Sequence, residues 1–227
     1  TTHLIFRFCL DLRIFCVSLC LMNEDKNIIV GFDAKRVVRN GTGLGAYGRN
    51  LVNDLAALYP NAQLLLYAPD AGREDLARQV KPAPNLRMVY PKNTKNALKK
   101  AAWRSGGVVK DLLRDGVEVF HGLSGELPKG VKHAGIDAVV TIHDLIFMRH
   151  PEFYHWWDAL IYRWKFHKTL KEANRIIAIS QCTKRDIMKY GHYPEERISV
   201  IYQSCDTRFR ERATPEKLNE VRQRYAL

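Results

Sequence analysis

Absences set the first limits. Five cysteines in 227 residues form no Cys-x-x-Cys pair: Cys9, Cys16 and Cys20 share one apolar amino-terminal stretch, while Cys182 and Cys205 stand apart. Such spacing offers neither a disulfide framework nor a structural zinc site, and a reduced cytoplasmic protein is expected. There is no internal repeat and no low-complexity tract, which excludes solenoids and disordered chains. Long apolar runs are scarce as well. The first 21 residues are mostly apolar, but Arg7, Asp11 and Arg13 interrupt them and leave only Ile14 to Met22 uncharged. That run falls short of the ~20 residues a membrane-spanning helix needs, and no small-residue cleavage site follows it. Acidic residues are in short supply, 24 against 36 basic ones, for a net charge of +12. The cations are spread through periodic segments rather than gathered in a block, which speaks against nucleic acid. An anionic membrane surface, or anionic small substrates such as sugar phosphates, remain as partners.

The hydrophobic fraction of 46% gives ample material for a core. The chain opens on Thr1, and Met22 precedes a polar stretch and then a clear strand. Residues 1–21 therefore read as a non-native or upstream-translated extension, with a short membrane anchor or an extra folded element as alternatives. Residues 22–209 read as one α/β domain.

Within that domain strands and helices alternate. β-Branched and apolar runs predict strands over Ile28–Phe32, Gln63–Ala68, Leu86–Tyr90, Val117–His121, Ala138–His143, Arg175–Ile179 and Ile198–Tyr202. Helical spacing predicts helices over Leu44–Tyr59, where Leu44, Tyr47, Leu51, Leu55 and Leu58 make one stripe, and over about Phe153–Ala173 and Gln181–Tyr190. Thr94–Arg114 reads as a basic helical region with turns. Strands separated by helices of this length imply a parallel sheet with helices on both faces, a Rossmann-like arrangement. Ligands of such sheets bind beyond the carboxyl ends of the strands, and polar residues mark those ends here: Asp33, His121, His143, Asp144 and Ser180.

The most conspicuous motif is Asn40-Gly41-Thr42-Gly43-Leu44-Gly45-Ala46-Tyr47-Gly48. Glycines let a backbone approach a phosphate, and the helix that follows offers free N–H groups at its positive end. Gly43 to Gly48 also match the dinucleotide fingerprint, with Asp70 at the distance of a ribose contact, so an NAD(P)-dependent oxidoreductase or epimerase is one alternative. Against it, seven residues from Ala34 to Asn40 separate the glycines from the first strand, giving a long, basic loop.

Five segments, in this order, resemble the retaining GT-B glycosyltransferases of family 4. They are Gly31-Phe32-Asp33 through to Gly48-Arg49; Val119-Phe120-His121-Gly122; Val140-Thr141-Ile142-His143-Asp144-Leu145; Ile177-Ala178-Ile179-Ser180-Gln181-Cys182-Thr183-Lys184-Arg185-Asp186; and Pro194 to Tyr202. The resemblance spans about Ile28 to Phe209. It implies the amino-terminal half of a GT-B fold and transfer of a sugar from a nucleotide-sugar donor to a saccharide or lipid-linked acceptor, as in cell-surface polysaccharide biosynthesis. Gly41, Thr42, Gly43 and Gly45 are then expected at the donor diphosphate, and His143 with Asp144 at the transferred sugar. Ser180 falls in the cleft wall, and His121 and Gly122 at the acceptor rim. No metal and no cofactor are expected. Members of the family continue into a second Rossmann-like domain that holds the nucleotide. Residues 210–227 read as the start of a linker to it, and this chain alone is expected to be inactive.

Two patches stay open. A metal site built from His143, Asp144 and His150 lacks regular spacing, and a structural His–Asp pair is the plainer alternative. Around Trp157, a helical wheel puts Phe153, Trp156, Trp157, Leu160, Ile161 and Trp164 on one face, read as core. Tyr162 and Phe166 fall opposite, near Arg163 and Lys165, as exposed rings for a membrane interface or acceptor groove. Lys92, Lys95, Lys99, Lys100, Arg104 and Lys110 read as a solvated face, with a basic membrane-binding module as the other alternative. Peripheral contact with the inner membrane face fits both patches.

Overall fold

The computed structural model describes residues 27–92, 96–203 and 212–227. The expectations for residues 1–21, for Met22, and for Thr94, Lys95 and Cys205 lie outside these residues. The described elements, in chain order, begin with β1 (Ile29–Asp33), α1 (Lys35–Arg39), α2 (Gly43–Leu58), β2 (Gln63–Tyr67), α3 (Glu74–Ala77) and β3 (Leu86–Val89). Next come α4 (Ala97–Ala102), a π-helical turn (Trp103–Gly107), α5 (Val108–Arg114), β4 (Val119–Gly122), β5 (Asp137–Ile142), α6 (Ile146–Arg149) and α7 (Trp156–Glu172). The last are β6 (Arg175–Ala178), α8 (Gln181–Gly191), β7 (Ile198–Val200) and α9 (Pro215–Tyr225).

The strands form one seven-stranded sheet in the order β3-β2-β1-β4-β5-β6-β7. Every neighbouring pair runs parallel. Side chains alternate across it. Phe32, Leu64, Leu66, Val139 and Ile177 face α1 and α2, where Val37, Val38, Leu51 and Val52 close one core. Leu65, Phe120, Val140, Ile142 and Ile176 face the other way, onto Leu112 of α5, Phe166 and Leu170 of α7 and Ile187 of α8. The strand order reverses between β1 and β4. A crevice opens beyond the carboxyl ends of adjacent strands at such a reversal, and ligands of doubly wound sheets bind there.

Three local readings change. The basic loop expected between β1 and the glycines is partly helical, because Lys35–Arg39 form α1 with Val37 and Val38 buried beneath it. The basic segment before β4 is not a uniform solvated face: Lys99 and Lys110 are exposed, but Lys100 and Arg104 turn inward to carboxylates. The largest correction is α7. Its buried residues are Ala159, Phe166, Thr169 and Leu170, while Trp156, Trp157, Leu160, Ile161 and Trp164 stand exposed. Phe153, before the helix, is exposed too. The face expected to be core is the outer face, and Phe166, expected outside, is only 4% exposed. Packing decides this. Phe166 meets Phe147 of α6 edge-on, with centroids 6.3 Å apart. Phe166 and Leu170 also close over Gly191 so tightly that a Cβ there would stand 3.0 and 2.6 Å from them.

Candidate functional site

The glycine turn is built around Asn40. Its Oδ1 accepts from the Thr42 amide at 2.8 Å, from the Thr42 hydroxyl at 2.7 Å and from the Gly45 amide at 3.2 Å, bending the chain into α2. Arg49, buried on α2, donates Nη1 to the carbonyls of Val37 and Asn40 at 2.8 and 2.9 Å and ties the turn to α1. The glycines then divide. A Cβ on Gly45 would stand 1.8 Å from the Asn40 carbonyl oxygen, and one on Gly48 would stand 2.8 Å from Val37. These two are required by close packing inside the fold. Gly43 has nothing within 4 Å of such an atom and Gly41 only the Arg73 and Leu76 side chains, so both lie open at the helix amino end. Open glycines beside unpaired helix N–H groups leave room for an anion.

Next to the turn, the ring of His143 lies at the end of β5. Tyr47 of α2 meets it edge-on, centroids 5.0 Å apart. His143 Nε2 lies 2.9 Å from the Leu123 carbonyl, which only accepts, so Nε2 carries the proton. Nδ1 is then free to accept from the Gln203 amide, also at 2.9 Å. Burial holds the ring's pKa below the ordinary histidine value, with Arg36 of α1 pushing the same way and the Leu123 carbonyl and Asp144 opposing. The imidazole is thus neutral and oriented. Beneath it His121, 6% exposed, is hydrogen-bonded to Thr141 Oγ1 at 2.8 Å, which in turn meets the Tyr47 hydroxyl at 3.0 Å. Burial, with a smaller push from His143, brings the His121 pKa down to about 3, and burial pushes the Tyr47 hydroxyl up to about 12.

On the other side of α1 lies a cavity of about 520 Å³ at the β1/β4 reversal. Its floor is ionic. Arg104, on the π-helical turn, donates Nε to both carboxylate oxygens of Asp33 at 3.1 and 3.0 Å, and Nη1 to Glu126. Lys165 of α7 donates to the second oxygen of Glu126 at 3.1 Å. Burial opposes the charge on Glu126, but Arg104 and Lys165 outweigh it and hold the carboxyl at about 2. Asp70 is clamped in the same way by Arg39 and Lys100, each at 2.8 Å.

The structure therefore gathers Gly41, Thr42, Gly43 and His143 on one rim. Asp144 is exposed beside them, its Oδ1 accepting from the Ile146 amide at 3.2 Å. Ser180 caps α8 by accepting from the Thr183 amide at 3.0 Å, and Thr183 Oγ1 donates to the His143 carbonyl at 3.1 Å. That chain of contacts steadies the end of β5. His121 and Gly122 lie one layer below the rim, both buried; a Cβ on Gly122 would stand 2.2 Å from the Glu126 carbonyl. His143 and Asp144 do not pair with each other, and His150 turns instead to Glu152 at 3.0 Å. Among the described residues no group of three or more metal-ligating side chains forms. Tyr47, Gln203, Arg104 and Glu126 were not singled out as site residues from sequence. Arg104 was hidden in a basic run, and Gln203 approaches His143 from 60 residues away. The dinucleotide alternative needs glycines set directly on β1, and α1 stands between them.

Comparison with known proteins agrees with this architecture. The model of Glycosyltransferase Family 4 matches residues 41–209. The O-antigen chain mannosyltransferase B of Escherichia coli is 31% identical over 110 residues, 48% of this chain and 27% of that protein. The crystal structure of HepE from Anabaena in complex with UDP and glucose superposes with a TM-score of 0.55 at 16% identity. It is covered over 50% of its length by 88% of this chain. A glycosyltransferase from Rickettsia africae gives 0.52 at 14% identity, over 89% of this chain and 50% of that one. At such identities the likeness is one of fold. The chain spans about half the length of these solved structures and about a quarter of the mannosyltransferase.

Proposed function

The chain belongs to glycosyltransferase family 4, and on that footing we propose that it carries one wall of a sugar-transfer cleft. In this reading it is the acceptor-side half of a GT-B enzyme, residues 22–209, followed by a linker. A second Rossmann-like domain completes the cleft and holds the nucleotide. The donor is a nucleotide sugar, the acceptor a hydroxyl of a saccharide or lipid-linked glycan, and the sugar keeps its anomeric configuration. The supporting observation is that Tyr47 joins the glycine helix to the His143 ring, so the open glycines and a neutral imidazole share one rim.

The chemistry follows from those groups. The donor diphosphate leaves as negative charge grows on it, and the amino end of α2 at the open Gly41 and Gly43 provides N–H dipoles for it, while the Thr42 and Gly45 amides, already given to Asn40, hold the turn in shape. A neutral Nδ1 accepts a hydroxyl proton, so a donor-sugar hydroxyl takes the place of the Gln203 amide at His143. Asp144 sets a negative charge beside the anomeric carbon as that carbon becomes positive. No metal is needed for these steps. An analogy for purpose is the O-antigen chain mannosyltransferase B, and assembly of a cell-surface polysaccharide is carried over from it as part of this reading. The work takes place at the cytoplasmic side of a membrane, with the exposed tryptophans of α7 as a peripheral contact. No described helix is long and apolar enough to cross a membrane.

Kinetics of the protein joined to its second domain test this reading. His143→Ala is expected to lower kcat ~100-fold with little change in melting temperature. Gly43→Val should instead raise the donor KM, because a side chain fills the space the diphosphate needs. A His143→Ala enzyme that melts early but keeps its specific activity would make the residue structural and overturn the assignment.

A further inference from the structure

The 520 Å³ cavity lies across α1 from the glycine rim, and the sugar-transfer steps above do not use it. We propose that it is the subsite for an anionic portion of the acceptor: the phosphate of a sugar phosphate or of a phosphodiester-linked glycan, with the adjoining sugar ring. The word acceptor rests on the sugar-transfer reading; the anion site itself does not.

Position, charge and shape support it separately. The cavity sits at the β1/β4 reversal, where open parallel sheets take their ligands, and its size is that of small-molecule sites. Its lining carries six cations, Lys35, Arg39, Lys100, Arg104, Lys165 and Lys168, against the three carboxylates of Asp33, Asp70 and Glu126. Each carboxylate is already engaged by two cations or by a bifurcated guanidinium. Lys35 and Lys168 make no ion pair within 4 Å among the described residues. They reach the cavity from opposite walls, α1 and α7. Burial, helped by the Arg104 and Arg36 guanidinium groups and opposed by Glu126 and Asp33, lowers the pKa of Lys35. A cluster held together by ion pairs alone would be neutral. This one is net positive and open. An entering phosphate supplies the missing charge and takes charge-assisted hydrogen bonds from both lysines.

The sugar part follows from Trp164, which lines the mouth at 62% exposure with the Lys168 ammonium 5.5 Å from its ring centroid. An aromatic face packs against the C–H face of a pyranose, and the cation beside it meets the phosphate. Arg104 is preorganised for such a site. The π-helical turn that carries it is pinned by the Lys129 amide on the Ser105 carbonyl at 2.8 Å, and such turns recur at functional sites. Asn40, one residue past α1, opens the glycine turn, so only the five residues of α1 separate Lys35 in the cavity from the glycine rim.

Calorimetric titration of the chain tests the site directly, with glucose 6-phosphate, glucose and inorganic phosphate as probes. Glucose 6-phosphate should bind saturably and more tightly than inorganic phosphate, and glucose should not bind. Lys35→Ala combined with Lys168→Ala, both surface changes, should weaken glucose 6-phosphate about tenfold or more, the loss of at least one charge-assisted bond. Gly43→Val should leave it unchanged. A glucosyl phosphate ester of geraniol separates the sources: tighter binding than glucose 6-phosphate identifies a lipid-linked acceptor, equal binding a soluble one. Equal binding of glucose and glucose 6-phosphate, wild-type binding by the double variant, or loss of binding in Gly43→Val would each overturn the proposal. If the completed enzyme transfers sugar but the double variant keeps its acceptor KM, the subsite fails and the sugar-transfer reading stands. If the anion binds as expected and no transfer occurs, the reverse holds.

Discussion

Helices α2 and α7 are nearly equal in length, 16 and 17 residues, and both carry apolar residues at helical spacing. On α2 that stripe is largely withdrawn from water: Leu51 and Leu55 are buried with Val52 and Ala56 at their side and Leu44 and Tyr47 are half-buried, while Leu58 in the last turn stands exposed. On α7 it points the wrong way, and the tryptophan face lies outside. The two differ in what surrounds the stripe. Around α2 the opposite positions hold Asn50, Asn53 and Asp54, so only one face can be withdrawn from water. Around α7 the rings fall on two sides, Trp156, Trp157 and Trp164 on one and Tyr162 and Phe166 on the other, with charged residues between them, and a wheel does not say which side turns inward. A hydrophobic stripe fixes the buried side of a helix only when the rest of the helix is polar. Where it is not, the neighbours decide, and for α7 these are Phe147, Gly191 and the loop carbonyl of Gly125, which accepts from Thr169 at 3.1 Å.

The sharpest way to break this comparison is truncation on α7. Phe166→Ala should destabilise the protein by about 3–5 kcal/mol in denaturant titrations, as for other buried aromatic deletions. A change under about 1 kcal/mol would mean that the buried face has been misassigned. Backbone approach on α2 gives the next effect. Gly45→Ala forces a methyl into the Asn40 carbonyl and should cost about 1–3 kcal/mol or more, whereas Gly43→Ala at the open first turn should be neutral or slightly stabilising. Equal costs at the two glycines would erase the division between packing and open positions.

Acidification probes the ring network that Tyr47 of α2 shares with the histidines. His121 and His143 bind protons less well folded than unfolded, so the unfolded state takes up more protons as pH falls below about 6.5. Stability should then fall by up to about 1.4 kcal/mol per pH unit for each histidine, and Glu126 adds to the loss below about pH 4.5. Chemical denaturation at pH 7.5 and 5.5 measures it, and His121→Asn should flatten the slope. The smallest expected effect belongs to the outer face of α7. Trp157→Ala should change stability by no more than about 0.5 kcal/mol, yet weaken sedimentation of the protein with anionic vesicles. A large loss of stability would return Trp157 to the core.

Much of this was legible without coordinates. Strand ends and the order of alternation predicted a parallel sheet with helices on both faces, because buried parallel strands need short apolar runs and crossovers long enough to be helices. The strand-end residues His143, Asp144 and Ser180 were legible for the same reason: a polar residue closing an apolar strand marks the end where chain leaves the sheet. The same rule also named Asp33, which lies on the cavity floor, and His121, which is buried. Contacts set by distant segments were not legible. Nothing near His143 in sequence announces Gln203 and the Leu123 carbonyl, which fix its tautomer, or Tyr47, which packs edge-on against its ring. Nothing in the basic run before β4 separates Arg104, drawn inward by Asp33 and Glu126, from Lys99 and Lys110, which face water. Local periodicity and strand-end chemistry are properties of a segment, and the sequence by itself determined the sheet, the glycine turn and the rim. The buried face of α7, the split among the glycines and the net-positive cavity depend on which surfaces meet across the fold, and only the tertiary structure decided them.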